Sequence, residues 1–456
     1  MNKFKLTRRA FLAATTTSAA GLVFPVRVNA AKVVPRKISP NEKLNIAAIG
    51  AGGKGRDDIF SLRKENIVAL CDVDERRAGE TFAYFDKAKR FSDFREMIDK
   101  MGKKIDAVTV STPDHTHAPA AYYAMKHGIH CYVQKPLTHT VAEARLLTNT
   151  AREMGVATQM GNQGHSGNGV REQCEMVWSG AIGPVREAHV WTNRPSWPQG
   201  INHALESQKV PETLDWDRWL GVAKKRPYNK EYLPHNWRGW QDFGGGALAD
   251  MACHIMDPVY WSLKLYEAKS YTIETLAIEG KNDFTYPNAS TIKFSFSARG
   301  DMPPVNVYWY DGGHMPPRPK GVPDNQLIGE GEWNGRTNGS YLVGDDGVLT
   351  AGEYGGKPRL LPDERMAEYT KPDPTIPRIR AVNHYRNWVE ACKGIAPACS
   401  NFDYSGPFSE MVLFGNLTIK TGEKYEWDNV KGVVNNHPNP KEVVSKEYHN
   451  GWELPV

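Results

Sequence analysis

The sequence predicts an α/β protein, an N-terminal doubly wound parallel sheet followed by a C-terminal α/β domain with an open, mainly antiparallel or mixed sheet. Three observations predict it. Between Leu44 and Gly161 short apolar runs alternate with helical patterns. The first of those runs opens directly into a glycine-rich loop. After Gly167 the rhythm changes, and long alternating stretches replace the short runs.

In chain order, "LNIAAIGA" from Leu44 reads as a buried strand and residues 53–63 as a helix. "NIVALCD" is a second strand and "DAVTVSTP" (106–113) another. A helix over 118–128 leads to the strand "HCYVQKP" (130–136). Thr140 to Gly155 is a helix opening with a capping box, because Thr140 and Glu143 can satisfy each other's first-turn amides. "VATQMGN" closes the series. Beyond it come a helix over 170–179, a strand over 185–192, a Trp- and Pro-rich region to Trp240, and a helix from about Ala247. "STIKFSFSARG" (290–300), "PPVNVYWYDGG" (303–313) and "GSYLVGDDGVLTAGEYGG" (339–356) build the second sheet. Helices over 381–393 and 407–420 come late, and the second is expected to pack back on the first domain. The domains expected are 31–165 and 166–456, behind a leader of 1–30.

That leader contains "LTRRAFL", carries five bases (Lys3, Lys5, Arg8, Arg9, Arg27) and no acid, and continues in a fifteen-residue apolar stretch, Ala10 to Phe24. Val28-Asn29-Ala30 offers small residues suited to cleavage. The apolar run is short for a bilayer span, and the paired arginines resemble a twin-arginine signal, which exports folded proteins. Of the 57 Lys and Arg in the chain these five leave 52, against 52 Asp and Glu. A neutral balance offers no basic field for nucleic acid or an anionic membrane. The six cysteines show neither C-x-x-C nor zinc spacing; Cys71 and Cys131 read as buried thiols, and Cys392 and Cys399 could pair.

Gly50, Gly52 and Gly55 stand in G-x-G-x-x-G register at the end of the first strand, with Gly53 inside the loop. The first glycine permits the tight turn, the second admits a pyrophosphate, and the third lets helix and strand pack closely. Asp72 follows 22 residues after Gly50 at the end of the second strand, where a carboxylate accepts hydrogen bonds from an adenosine ribose. It would repel a 2′-phosphate, which favours NAD; Arg76 and Arg77 keep NADP open. A nucleotide made in the cytoplasm and needed outside must be folded around first, so the loop and the leader explain each other.

The glycine loop, "STPDHTHA" (111–118), "QKPL" (134–137) and "GGGALADMACH" (244–254) occur in an order that resembles the Gfo/Idh/MocA oxidoreductases, the group of glucose-fructose oxidoreductase and inositol dehydrogenase. The resemblance covers essentially the chain beyond the leader. It implies a Rossmann domain, a second domain whose open sheet often serves association into homo-oligomers, and a site between them. It places Thr112, Pro113 and His117 against the cofactor, and Gln134 and Lys135 where the family has Glu-Lys-Pro, with the lysine touching substrate hydroxyl and nicotinamide ribose. Gln134 departs from that pattern and removes a negative neighbour of Lys135. Pro136 is by the same resemblance a candidate cis proline.

Asp250 and His254 lie four apart on one helix face. An imidazole can take an alcohol proton, and a carboxylate beside it can fix its tautomer; the family places this pair at the substrate. Asn162, Gln163 and His165 come to a strand end facing the same crevice, and Trp237 and Arg238 precede the glycine-rich helix as further substrate residues. His115 and His117 have no completing ligand set, so no metal is expected. The reading is an exported NAD-dependent oxidoreductase that holds its cofactor tightly and transfers hydride to or from a sugar or glycoside hydroxyl. Its alternative is a redox-neutral glycoside hydrolase working by oxidation, elimination, water addition and re-reduction. A binding protein that merely keeps the fold is disfavoured by intact Lys135, Asp250 and His254.

Overall fold

The computed structural model describes residues 34–332 and 337–456; the expected leader lies outside them. The first sheet is built from β1 (Asn45–Ile49), α1 (Lys54–Ser61), β2 (Asn66–Cys71), α2 (Glu75–Tyr84), β3 (Lys89–Phe91), α3 (Phe94–Met101), β4 (Ala107–Val110), α4 (His117–Lys126), β5 (His130–Val133), α5 (Val141–Met154) and β6 (Thr158–Met160). Its strands are all parallel in the order β3-β2-β1-β4-β5-β6. β1, β4 and β5 are buried on both faces, as strands covered by helices on either side must be. The order reverses between β1 and β4, and a crevice opens at the carboxyl edge of such a reversal. The capping box of α5 forms as expected: Thr140 Oγ1 accepts from the Glu143 amide at 3.3 Å, and the Glu143 carboxylate accepts from the Thr140 amide at 3.1 Å.

The chain continues through α6 (Asn168–Trp178), β7 (Val185–Trp191), α7 (Trp216–Leu220), α8 (Gly246–Ile255), α9 (Asp257–Ser262), β8 (Ser270–Glu279), β9 (Ala289–Phe296), β10 (Val305–Asp311), β11 (Gly339–Gly344), β12 (Gly347–Ala351), β13 (Arg359–Leu361), α10 (Asp363–Glu368), α11 (His384–Cys392), α12 (Phe402–Thr421), β14 (Tyr425–Asp428) and β15 (Val433–Val434). The nine strands form one sheet in the order β13-β12-β11-β7-β10-β9-β8-β14-β15. β7 and β10 are parallel and the other pairs antiparallel, so the sheet is mixed.

The stretch 339–356 lies in the second sheet as expected, as a hairpin of β11 paired antiparallel with β12 and turned at Asp345-Asp346. Two other local readings need correction. β8 escapes the sequence reading because its outer half is exposed and a bulge between Thr275 and Ala277 breaks its alternation. The late helix α12 starts five residues before Pro407, because Asn401 caps it with its side chain on the amides of Asp403 and Tyr404. It does pack back on α5. Gly406 allows the approach, since a Cβ there would lie 1.9 Å from Thr148 Oγ1, and the buried Glu410 pairs with Arg145 at 2.7 Å. All six cysteines are free, Cys392 and Cys399 included. Among the described residues no helix is long and apolar enough to cross a membrane.

Candidate active site at the carboxyl edge of the parallel sheet

A crevice of about 1340 Å³ runs from the glycine loop to α8. Gly50 takes φ +85°, and a Cβ there would lie 2.6 Å from the Ser111 carbonyl oxygen. Gly55 is closer still, its Cβ position 2.1 Å from the Gly50 carbonyl, so helix and strand meet at a distance no side chain allows. Gly52 and Gly53 line the crevice, and a Cβ on Gly53 would meet the Arg77 guanidinium at 2.5 Å. Asp72 accepts the amides of Ala51 (2.7 Å) and Gly52 (3.0 Å) on one oxygen and that of Asp74 (2.9 Å) on the other. It therefore fixes the loop as well as lining the crevice. Burial pushes its carboxyl up, against those amides. A loop whose crevice-lining positions Gly50, Gly52 and Gly53 lack a Cβ, a helix behind it and an acid at the end of β2 fit a dinucleotide.

At the other end Lys135 Nζ donates to Asp250 Oδ1 at 2.7 Å and to the Asp250 carbonyl at 3.0 Å, across a cis Lys135–Pro136 bond. Arg238 Nε reaches the same Oδ1 at 3.1 Å. Burial opposes ionisation of Asp250, but the two cations outweigh it and hold the carboxyl well below its usual range. Asp250 therefore does not orient His254, as the four-residue spacing suggested: both of the cations out-compete an imidazole for it. His254 is buried, its Nδ1 has no hydrogen-bond partner, and its ring meets Tyr354 edge-on at 4.8 Å. Burial, helped by the Lys135 charge, pushes its pKa down to about 3, which leaves a neutral ring facing the crevice.

Thr112, Pro113, Gln134, Gln163 and Trp237 also line the crevice. His117, Asn162 and His165 do not. His117 sits behind the wall, its ring nitrogens 2.8 Å from the carbonyls of Pro136 and Thr112. Asn162 accepts from Ser400 Oγ at 2.7 Å. His165 is held by Asp257 at 2.9 Å, stacked on Trp261 and packed against the tilted ring of Tyr404. His115 spends its nitrogens near the carbonyls of Phe243 and Trp219. Sequence reasoning missed two residues. Asp114 lines the crevice, accepts the Gly245 amide at 3.1 Å, and is pushed up to about 7 by burial against the charges of Arg238 and Lys135. Its place inside "STPDHTHA" was the available signal. Tyr354, a lone aromatic in a glycine-rich turn, gave none.

Residues 44–162 match the description "Oxidoreductase family, NAD-binding Rossmann fold", and residues 185–294 its partner, "Oxidoreductase family, C-terminal alpha/beta domain". The chain belongs to the Gfo/Idh/MocA oxidoreductase family. Its first sheet is the NAD-binding Rossmann fold of that family. Among curated Gfo/Idh/MocA-like relatives, the alpha-N-acetylgalactosaminidase of Shewanella oneidensis is 28% identical over 230 residues, 44% of this chain and 50% of that protein. Inositol 2-dehydrogenase 3 of Saccharopolyspora erythraea is 27% identical over 183 residues, 39% and 53% respectively. The matched segments span about half the length of these relatives. The solved WlbA dehydrogenase from Bordetella pertussis, in complex with NADH and UDP-GlcNAcA, superposes with a TM-score of 0.56 at 14% identity, covering 84% of this chain and 98% of that one. That likeness establishes the fold.

Proposed function

We propose that the protein is an exported NAD-dependent oxidoreductase that retains its cofactor and acts on a hydroxyl of a sugar or glycoside. The observation that carries this is one crevice with a glycine-rich loop at one end and, at the other, the Lys135–Asp250–Arg238 cluster beside His254, whose Nδ1 has no hydrogen-bond partner. Gly50, Gly52, Gly53, Asp72, Thr112, Pro113, Gln134 and Lys135 would hold the dinucleotide, whose nicotinamide supplies the hydride acceptor. His254, neutral because of its burial, takes the hydroxyl proton. Lys135, kept in place by Asp250, steadies charge developing on the oxygen. Trp237, Arg238 and Gln163 face the substrate, the first offering an aromatic surface to sugar C–H groups.

Export rests on Arg8-Arg9 and the acid-free stretch around them. Retention of cofactor follows from it, since free NAD is scarce outside the cytoplasm. We read the two sheets as two domains dividing near residue 165, with the open sheet available for homo-oligomer contacts. The glycosidase among the relatives favours a second reading, in which oxidation is transient and the glycoside is cleaved without net redox change. Tyr354 against His254 supplies a second proton-carrying group for that route.

Purified protein, dialysed and then denatured, should release NAD or NADH by mass spectrometry; predominantly NADP would implicate Arg76 or Arg77 and refute the Asp72 argument. A panel of sugars and glycosides in deuterated water separates the two readings. Cleavage with deuterium entering the carbon beside the oxidised one supports the hydrolase, and a coupled oxidised and reduced pair supports the oxidoreductase. Protein that purifies empty and needs stoichiometric NAD contradicts the retained-cofactor reading.

A further inference from the structure

Asp58 lies on α1 with its side chain wholly removed from solvent, and it stands outside the crevice wall. It nevertheless gathers four donors from four parts of the chain. Oδ2 accepts from Ser111 Oγ, just past β4, at 2.7 Å, and from Gln134 Nε2, at the end of β5, at 2.8 Å. Oδ1 accepts from Tyr385 OH on α11 at 2.7 Å and pairs with Lys54 Nζ at 2.8 Å. Lys54, Ser111 and Gln134 all line the crevice. Lys54 also donates to Tyr385 OH at 3.0 Å. The Gln134 amide packs closely on Gly161, where a Cβ would lie 2.7 Å from it.

We infer that Asp58 is a positioning residue for the crevice wall, and that position 134 must carry a neutral hydrogen-bond donor because the Asp58 carboxylate lies beneath it. The inference rests on the dinucleotide reading of the crevice. Gln134 immediately precedes Lys135, so the bond to Asp58 sets where the strand end, and with it the lysine, is held. A buried carboxylate is tolerated only when its lone pairs are satisfied, and here three of the four donors, Ser111, Gln134 and Tyr385, each tie a different segment to the buried acid on α1. An acid at 134 would set two carboxylates against each other, and ionising both at high pH would push them apart and loosen the wall. The other titratable groups facing the cluster are Lys54 from α1, Tyr385 from α11, and Tyr132 and Lys135 from β5 and its end. Burial raises both tyrosines, and Lys54, whose charge burial opposes, is held charged by Asp58.

The test is a charge exchange, Gln134→Glu, Asp58→Asn and the double variant, read by NAD affinity of stripped protein, by cofactor retained through dialysis, and by melting temperature. Gln134→Glu should weaken NAD binding by about tenfold or more near pH 8 and recover toward pH 5, where the introduced carboxyl is protonated and donates again. The double variant should return to within about threefold of wild type near pH 8. Melting temperature follows the same pattern without any cofactor present. Wild-type behaviour of Gln134→Glu at both pH values, or a double variant no better than Gln134→Glu, overturns the inference. If the double variant does not fold, the pH recovery of Gln134→Glu alone decides. Wild-type protein that binds no nicotinamide dinucleotide overturns the functional reading instead, and the melting series still decides this one.

Discussion

Two buried histidines have opposite surroundings. His165 stands outside the crevice wall, gripped by Asp257, stacked on Trp261 and packed against the tilted ring of Tyr404. His254 lies on the wall itself, with an unpartnered Nδ1 and the ring of Tyr354 against it. The difference separates structure from chemistry. A ring whose Nδ1 is held by a carboxylate and which is packed among aromatic rings contributes stability and has no proton business to do. A buried ring with an unmet nitrogen costs free energy in the resting protein, and such a cost persists where a ligand will offset it.

The largest expected effect breaks the wall. His254→Ala or Lys135→Ala should lower turnover by about a hundredfold or more, as loss of a positioned acid–base group does. Lys135→Ala should also lower melting temperature and bound cofactor, because it takes a cation from Asp250 and a contact from the dinucleotide, while His254→Ala should leave both nearly unchanged. His165→Ala should do the reverse. It leaves Asp257 buried with only Tyr404 as a side-chain partner, which costs about 3 kcal/mol, while turnover per folded molecule stays within about threefold. Wild-type rates in both wall variants, on a verified substrate, would sink the assignment of roles.

The wall and its support differ also in how far the sequence disclosed them. The glycine loop, Asp72, Lys135 and the parallel sheet were legible because each depends on local chemistry: backbone turns, strand ends and a regular alternation of strand and helix. The carboxylate partnership was not. D-x-x-x-H on a helix reads as one unit, yet Asp250 turns to Lys135 and Arg238, 115 and 12 residues away, and Asp257, three residues past His254, takes His165. Charge competition between distant segments decides such pairings, and spacing along a helix does not carry it. The same holds for Gln134, whose amide has a reason only once Asp58 is beneath it.

A middle-sized effect concerns Asp114, the wall residue whose charge is poised. Its carboxyl is raised from 3.8 to about 7 in the folded protein. An acid raised on folding stabilises fully below its unfolded value, and that contribution is lost as pH climbs through the folded one. Asp114→Asn cannot ionise, so its melting temperature should exceed that of wild type by a margin that opens from about pH 4, grows to about pH 7 and then stays level. The pH profile of kcat/KM should lose an inflection near 7 in the same variant. An unchanged profile, or a margin that widens toward acid, contradicts the poised carboxyl and makes Asp114 a plain brace for the Gly245 amide.

The smallest effect sharpens the support side. Tyr404 OH donates to Asp257 Oδ1 at 2.6 Å and its ring packs at a tilt against His165. Tyr404→Phe keeps the ring and removes only the hydroxyl, so His165 stays stacked and Asp257 keeps its bond to Nδ1. A hydrogen bond to a charged acceptor is worth about 1.5–3 kcal/mol, and the buried oxygen left short of a donor puts the loss within that range. Chemical denaturation should register it as a lower midpoint with the same slope. Turnover and its pH dependence should not move, because neither Asp257, His165 nor Tyr404 lines the crevice. A fall in turnover beyond about threefold with cofactor content intact would carry the Asp257–His165 pair into the catalytic apparatus, and the distinction between the two histidines would fail.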